Sequence, residues 1–196
     1  IFAKKFTCIL DENLKIDSKI LSKLENNKDS KTCIFGFTWV IHKILTENKN
    51  NEILKNFLSH LSQSSILHIG GWKKLADLSI DKKQFNSECS NFFNTDKDKV
   101  VDLYGMTEQL GIVYPDCEYG YKHVPVFSEI LIRNTHSLEV QNDGETGFIQ
   151  VISPIPNSYP GISLLTDDLG EILGRDNCPC GRKGTYFIFK KRSEMA

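Results

Sequence analysis

The sequence has almost no net charge. Its 24 lysines and arginines stand against 25 acidic residues, a formal charge of −1 over 196 residues. Nucleic acid or an anionic membrane therefore finds no electrostatic footing here. Long hydrophobic runs are missing too: none approaches the roughly 20 residues that span a bilayer, and the chain does not open with a secretory signal pattern. No Gly-x-Ser-x-Gly elbow, Walker-type Gly-Lys-Ser/Thr loop or dinucleotide fingerprint occurs. Any nucleotide site must be of another kind. Internal repeats and low-complexity linkers are also lacking. The opening, Ile1-Phe2-Ala3-Lys4-Lys5, has no initiator Met, which leads to the expectation of a fragment or a processed chain.

What is present is ordinary for a globular protein, with 40% hydrophobic and 25% charged residues, and the length suffices for one large domain or two small ones. Six scattered cysteines (Cys8, Cys33, Cys89, Cys117, Cys178 and Cys180) in a chain without a secretion signal read as reduced thiols of a cytoplasmic protein.

Residues 1 to about 108 alternate between helix and strand periodicity. Leu14, Ile16, Ile20, Leu21 and Leu24 mark one helix face. Lys31 to Phe35 reads as a strand, followed by a Gly36-Phe37-Thr38 turn in which Thr38 caps a helix bearing Val40, Ile41, Ile44 and Leu45. A further helix carries Ile53, Leu54, Phe57, Leu58 and Leu61. Ser65 to Ile69 is a strand ending at Gly70-Gly71, and Phe85, Cys89, Phe92 and Phe93 mark another helix. The strand Lys99 to Leu103 then meets Tyr104-Gly105. This alternation predicts a parallel sheet with helices on its faces. Glycine past each of the three strands permits positive φ and a close ligand approach. After about residue 110 the pattern becomes short strands separated by Gly/Pro turns. The expected organisation is thus α/β over 1–115 followed by a smaller, mostly-β subdomain over 116–196, with the boundary between 110 and 125.

Several residue groups have two readings. Thr107 and Glu108 cap a helix start, or face phosphate and Mg²⁺. Asp167 and Asp168 form a solvated turn, or supply a carboxylate to a sugar diol or metal. Cys178-Pro179-Cys180 with Cys117 and His123 offers three thiolates and one imidazole, the donor set of a closed tetrahedral zinc site. The Cys-x-Cys gap is tighter than usual, and the alternative is unrelated reduced cysteines. His42, beside Trp39 and Ile41, reads as a packing residue. His60, His68 and His136 carry no pattern, and Phe35, Phe37 and Trp39 either wall an acyl pocket or belong to the core.

Taken in order, these stretches resemble adenylate-forming enzymes. Tyr104-Gly105-Met106-Thr107-Glu108 resembles their Tyr-Gly-x-Thr-Glu motif, and Gly144-Glu145-Thr146-Gly147 their Gly-Glu-x-Gly turn. Thr166-Asp167-Asp168 resembles Thr-Gly-Asp, with Asp167 in place of glycine. Cys178-Pro179-Cys180-Gly181-Arg182 is similar to the phenylacetate–CoA ligase branch. Gly36-Phe37-Thr38-Trp39, His68 to Leu75 and Asp167 to Gly170 look most like the LuxE-type acyl-protein synthetases.

The resemblance implies part of an adenylate-forming enzyme's large domain. It implies ATP-dependent activation of a fatty acid, or another carboxylic acid, to an acyl-adenylate. The acyl group would then pass to a protein thiol of a reductase or carrier. By this resemblance Tyr104, Gly105 and the Gly70-Gly71 backbone border the nucleotide base, Thr107 contacts the α-phosphate and Glu108 ligates Mg²⁺. Asp168 binds the ribose hydroxyls, and Arg192 assists it. Members of the phenylacetate branch that look zinc-bound at similar cysteines imply structural Zn²⁺ at Cys117, His123, Cys178 and Cys180. Two alternatives stand beside this: an aryl- or acyl-CoA ligase, with CoA as acceptor, and a non-catalytic zinc-stabilised binding module. The family's phosphate loop and its C-terminal nucleophilic Cys have no counterpart here, and Lys191-Arg192 replaces the usual Gly-Arg hinge. The expectation is an incomplete portion of a ligase, with little or no adenylation by this chain alone.

Overall fold

A computed structural model describes residues 5–24, 31–59, 64–72, 80–156 and 159–193. The chain divides into two compact units, Ile1–Val100 and Val101–Ala196.

In the first unit, helix α1 (Ser18–Leu24) begins where the Asp17 carboxylate accepts the Lys19 N–H at 2.8 Å. Strand β1 (Cys33–Phe37) pairs in parallel with β2 (Ser65–Ile69), Cys33 opposite Ser65 and Phe37 opposite Ile69. The connection runs through α2 (Thr38–Glu47) and α3 (Glu52–Ser59), as a parallel pair requires. The strand goes two residues beyond the sequence expectation, so Gly36 lies within it and the predicted turn does not form. Thr38 is the first helical residue and makes no cap bond. Its hydroxyl instead shares a 3.0 Å hydrogen bond with buried His68 Nδ1. Helix α4 (Lys82–Phe93) starts at Asp81, whose carboxylate accepts from the Lys83 and Gln84 N–H groups, and stops at Asn94 in the left-handed region. Ile41, Leu45, Leu54, Phe57, Leu58, Ile66, Phe85 and Cys89 lie in the core, on the apolar faces that the periodicity marked, while Ile53, expected there too, is 71% exposed. His42 packs edge-on against Trp72, as a packing residue should. His60, Leu61 and Lys73 to Leu75 lie outside the described residues.

In the second unit, β3 (Val100–Tyr104), which begins at the boundary, pairs antiparallel with β4 (Tyr114–Pro115). Strands β5 (Lys122–His123), β6 (Glu129–Arg133), β7 (Gly147–Ile152), β8 (Ser163–Arg175) and β9 (Thr185–Arg192) form an antiparallel sheet in the order β5-β9-β8-β7-β6. Alternation buries Ile130, Ile132, Ile149, Val151, Ile172 and Phe187 on one face. Gly147 is required by space: an added Cβ would fall on the Arg133 carbonyl oxygen. The sequence placed Asp167 and Asp168 at a turn between two strands. They lie instead inside the 13-residue β8. On β7, Phe148 faces Leu169 and Gln150 faces Leu165, so Ile149 alone opposes Thr166 to Asp168. That bulge re-aims the carboxylates without ending the strand.

Among the described residues, no helix is long and apolar enough to cross a membrane.

Candidate nucleotide and metal sites

At the end of β3, Tyr104 sits in an aromatic cluster. Its ring lies 5.8 Å from Tyr114, 5.9 Å from Phe187 and 5.8 Å from Phe189, stacked on the last. Its hydroxyl donates to Asp168 Oδ2 at 2.8 Å, joining residues 64 apart in sequence. Burial first, and the Asp168 charge second, hold the phenol pKa well above its ordinary value, so Tyr104 remains a donor. Asp168 is braced from its own strand: its N–H donates to Thr166 Oγ1 at 3.1 Å, and that hydroxyl donates to the Ile149 carbonyl at 2.8 Å. The Asp168 side chain is half-buried beside that donor.

Beyond Gly105, Thr107–Gln109 form a single 3-10 turn that Met106 enters in extended conformation with no side-chain cap. Thr107 and Glu108 thus stand in the first turn of this short 3-10 helix, Glu108 as its first-turn acid, without a side-chain cap bond. Both are exposed, and the Thr107 hydroxyl donates to Glu108 Oε2 at 3.1 Å. The next residues are anchored. Buried Gln109 donates to the Gly161 carbonyl at 3.2 Å and accepts from the Tyr114 hydroxyl at 3.1 Å, while Leu110 N–H donates to Tyr159 Oη at 2.7 Å. Sequence reasoning passed over Gln109. A fully buried amide is the kind of residue that fixes a loop, but nothing in its neighbours' spacing reveals the burial.

Arg192 lies opposite Asp168 in the β8–β9 register, yet its guanidinium donates to Asp167 Oδ2 at 3.3 Å, an exposed pair. Gly70 and Gly71 close β2 in the first unit at φ 86° and 54°, the positive-φ turn expected there. Phe35 and Phe37 stand exposed on β1, and Trp39 is half-buried on α2.

A second constellation lies within the Val101–Ala196 unit. Cys117, His123, Cys178 and Cys180 place one ligand atom each within 4.8 Å of one another. Two tight turns bring them there. Gly120 N–H donates to the Cys117 carbonyl at 2.8 Å, and Gly181 N–H to that of Cys178 at 3.0 Å. Four bonds of about 2.3 Å in a tetrahedron put sulfurs about 3.8 Å apart. Cys117 and Cys178 sulfurs are 4.0 Å apart, and Cys180 Sγ is 3.3 Å from His123 Nε2. The thiols are free, not bridged. Burial pushes the Cys178 thiol up to about 11. At Cys180 burial acts the same way, but the Arg182 N–H and the neighbouring thiols outweigh it and bring the value below the ordinary one. Burial, then the Arg182 charge, lowers the His123 pKa and keeps its ring neutral. Donor type, spacing and neutral imidazole fit a tetrahedral Zn²⁺.

Solved structures share the fold. An open conformation of 2-hydroxyisobutyryl-CoA ligase, in complex with 2-HIB-AMP and CoA, aligns with a TM-score of 0.65 at 14% identity, over 89% of this chain and 38% of that one. ATP-bound MatB from Rhodopseudomonas palustris aligns with a TM-score of 0.53, also at 14% identity, over 88% and 33%. The fold is thus that of adenylate-forming enzymes. A long-chain-fatty-acid–luciferin-component ligase of Aliivibrio fischeri is 28% identical over 168 residues, 82% of this chain and 42% of that protein. Its Vibrio harveyi counterpart is 30% identical over 105 residues, 53% and 27%. The chain therefore spans less than half the length of these relatives. With the described family "Acyl-protein synthetase, LuxE" matching residues 2–196, this chain belongs to the LuxE acyl-protein synthetase family.

Proposed function

We propose that this chain supplies the ribose- and phosphate-facing part of an ATP-dependent ligase that activates a long-chain fatty acid and passes the acyl group to a protein thiol in the cytoplasm. The observation that carries the reading is the Tyr104–Asp168 hydrogen bond, which brings two nucleotide-type motifs together within one compact unit.

The chemistry follows from the side chains. Asp168 Oδ1 accepts from a ribose hydroxyl while Tyr104 holds Oδ2. Arg192, on the adjoining strand, keeps Asp167 turned toward itself. The Thr107 hydroxyl exchanges Glu108 for an α-phosphate oxygen, which frees the Glu108 carboxylate. A fatty-acid carboxylate oxygen then attacks the α-phosphorus, a new P–O bond forms, and the bond to the departing pyrophosphate breaks. Glu108 would hold Mg²⁺, and the bound ion would supply charge neutralisation for the departing pyrophosphate. The resulting mixed anhydride leaves the acyl carbon open to a thiolate.

ATP–pyrophosphate exchange in the full-length protein, across a series of fatty acids, tests this. Asp168→Ala and Glu108→Gln should each lower exchange by about 10²- to 10³-fold. Unchanged exchange in both variants would overturn the assignment, and robust exchange by the 196-residue chain alone would contradict the view that other segments are needed.

The Cys/His cluster favours a second reading, a zinc-stabilised docking module without catalysis. Exchange activity separates the two. If the acceptor is CoA, the product is an acyl-CoA thioester and not an acylated protein, which mass spectrometry distinguishes.

A further inference from the structure

The Val101–Ala196 unit also holds an ion triad. Lys122 Nζ donates to Asp102 Oδ2 and to Asp116 Oδ1, each at 2.9 Å, and to the Asp102 carbonyl at 3.3 Å. The Lys122 and Asp116 side chains are only 6% and 5% exposed, and Asp102 is 26% exposed. Lysine and aspartate are rarely so buried, and only paired ones persist.

Their places in the chain give the triad a task. On β3 and β4, Tyr104 faces Tyr114 and Leu103 faces Pro115. The next pair brings Asp102 against Asp116, whose N–H donates to the Asp102 carbonyl at 3.0 Å. Two like charges directly opposite one another oppose strand pairing. The β3–β4 ladder pairs Leu103 with Pro115 and Tyr104 with Tyr114, directly beside those two charges. Lys122 reaches the spot because Asp116 and Lys122 bridge across the base of their own loop. The loop carries Cys117 directly after Asp116, and His123 follows Lys122 on β5, so each is adjacent in sequence to a triad member.

Resting on the nucleotide reading above, the geometry points to Lys122 as a positioning residue. By neutralising Asp102 and Asp116 it holds the β3–β4 register that sets Tyr104, and through Tyr104 the Asp168 carboxylate that selects a ribose. Lys122 acts through the strand two residues ahead of Tyr104.

The test is calorimetric binding of ATP and of 2′,3′-dideoxy-ATP to the full-length protein. A wild type that grips the diol binds ATP about tenfold or more tighter than the dideoxy nucleotide. Lys122→Met should shrink that ratio to within about threefold. Lys122→Met combined with Asp102→Asn and Asp116→Asn removes the repulsion along with the cation, and should restore the ratio. A packing role alone would lower the fraction of competent protein without changing the ratio, and the asparagines would not rescue it. A Lys122→Met variant that keeps the wild-type ratio overturns the inference alone. So does a triple variant that folds without the ratio. If Lys122→Met does not fold, a folded triple variant with the wild-type ratio supports the inference, and a triple variant that also fails to fold overturns it. A wild type that binds neither nucleotide overturns the nucleotide reading itself, and this inference with it.

Discussion

The two compact units hold their buried polar groups differently. Among the described residues, the Ile1–Val100 unit buries Thr38, Ser64 and His68 in an otherwise hydrocarbon core. The Val101–Ala196 unit buries Gln109, Asp116, Lys122, His123, Ser153 and Thr185. Hydrocarbon packing is non-directional and tolerates adjustment. Buried hydrogen bonds and ion pairs demand particular geometry and penalise its loss. The first unit is therefore a packed scaffold of helices on a parallel strand pair. The second is a sheet whose local geometry is specified atom by atom, and the Tyr104–Asp168 pair and the Cys/His cluster both fall there.

The largest test of that contrast is the metal. Replacing Cys178 with Ser should abolish stoichiometric zinc, measured by elemental analysis of protein purified without a His-tag. Because structural zinc contributes folding energy of order ~10 kcal/mol in small metal-dependent domains, a chelator should melt the second unit well before the first. Coincident melting of both units would break the contrast.

Leu54→Ala probes the hydrocarbon side. Leu54 is 2% exposed in the α3 core, and its truncation should cost about 2–5 kcal/mol in denaturant unfolding. Affinity for ATP should not change in the protein that remains folded.

Tyr104→Phe asks how much one directional bond matters. It leaves Asp168 Oδ2 without its donor and should cost about 1–3 kcal/mol, with lower discrimination against the dideoxy nucleotide. It should also alter the alkaline limb of stability. Burial, then the Asp168 charge, raises the Tyr104 pKa in the folded chain, so the unfolded chain ionises first. The stabilisation is whole below tyrosine's ordinary pKa of about 10 and is lost as pH climbs past it toward the folded value. The Phe variant should lack this loss in pH-dependent denaturation.

Arg192→Ala should have the smallest effect on stability, within about 1 kcal/mol, because its pair with Asp167 is exposed. A larger loss of ATP affinity than of stability would show that Arg192 reaches the nucleotide when one binds.

Much of this was legible in the residues. Apolar spacing marked α2, α3 and α4, because the residues that form the first core recur at helical intervals. Chain order was enough to suggest the Cys/His donor set, and the four ligand atoms do meet. Other features left no trace. Asp167 and Asp168 look like turn residues, since aspartate favours turns, and only pairing with β7 makes them a bulge within a strand. Thr38 looks like a cap, and only the arrival of His68 from β2 gives its hydroxyl another partner. Lys122 looks like one lysine among many, and nothing near it in the sequence shows that two carboxylates close around it.

By itself, then, the sequence determined the alternation of helices and strands, the family motifs and the chemical types of the candidate ligands. Each depends on residue identity and short-range spacing. Only the tertiary structure decided which oxygen Tyr104 holds, where β8 bulges, and that Lys122 stands between Asp102 and Asp116. These depend on strand register and burial, which arise from contacts between residues far apart in the chain and are not written in any local pattern.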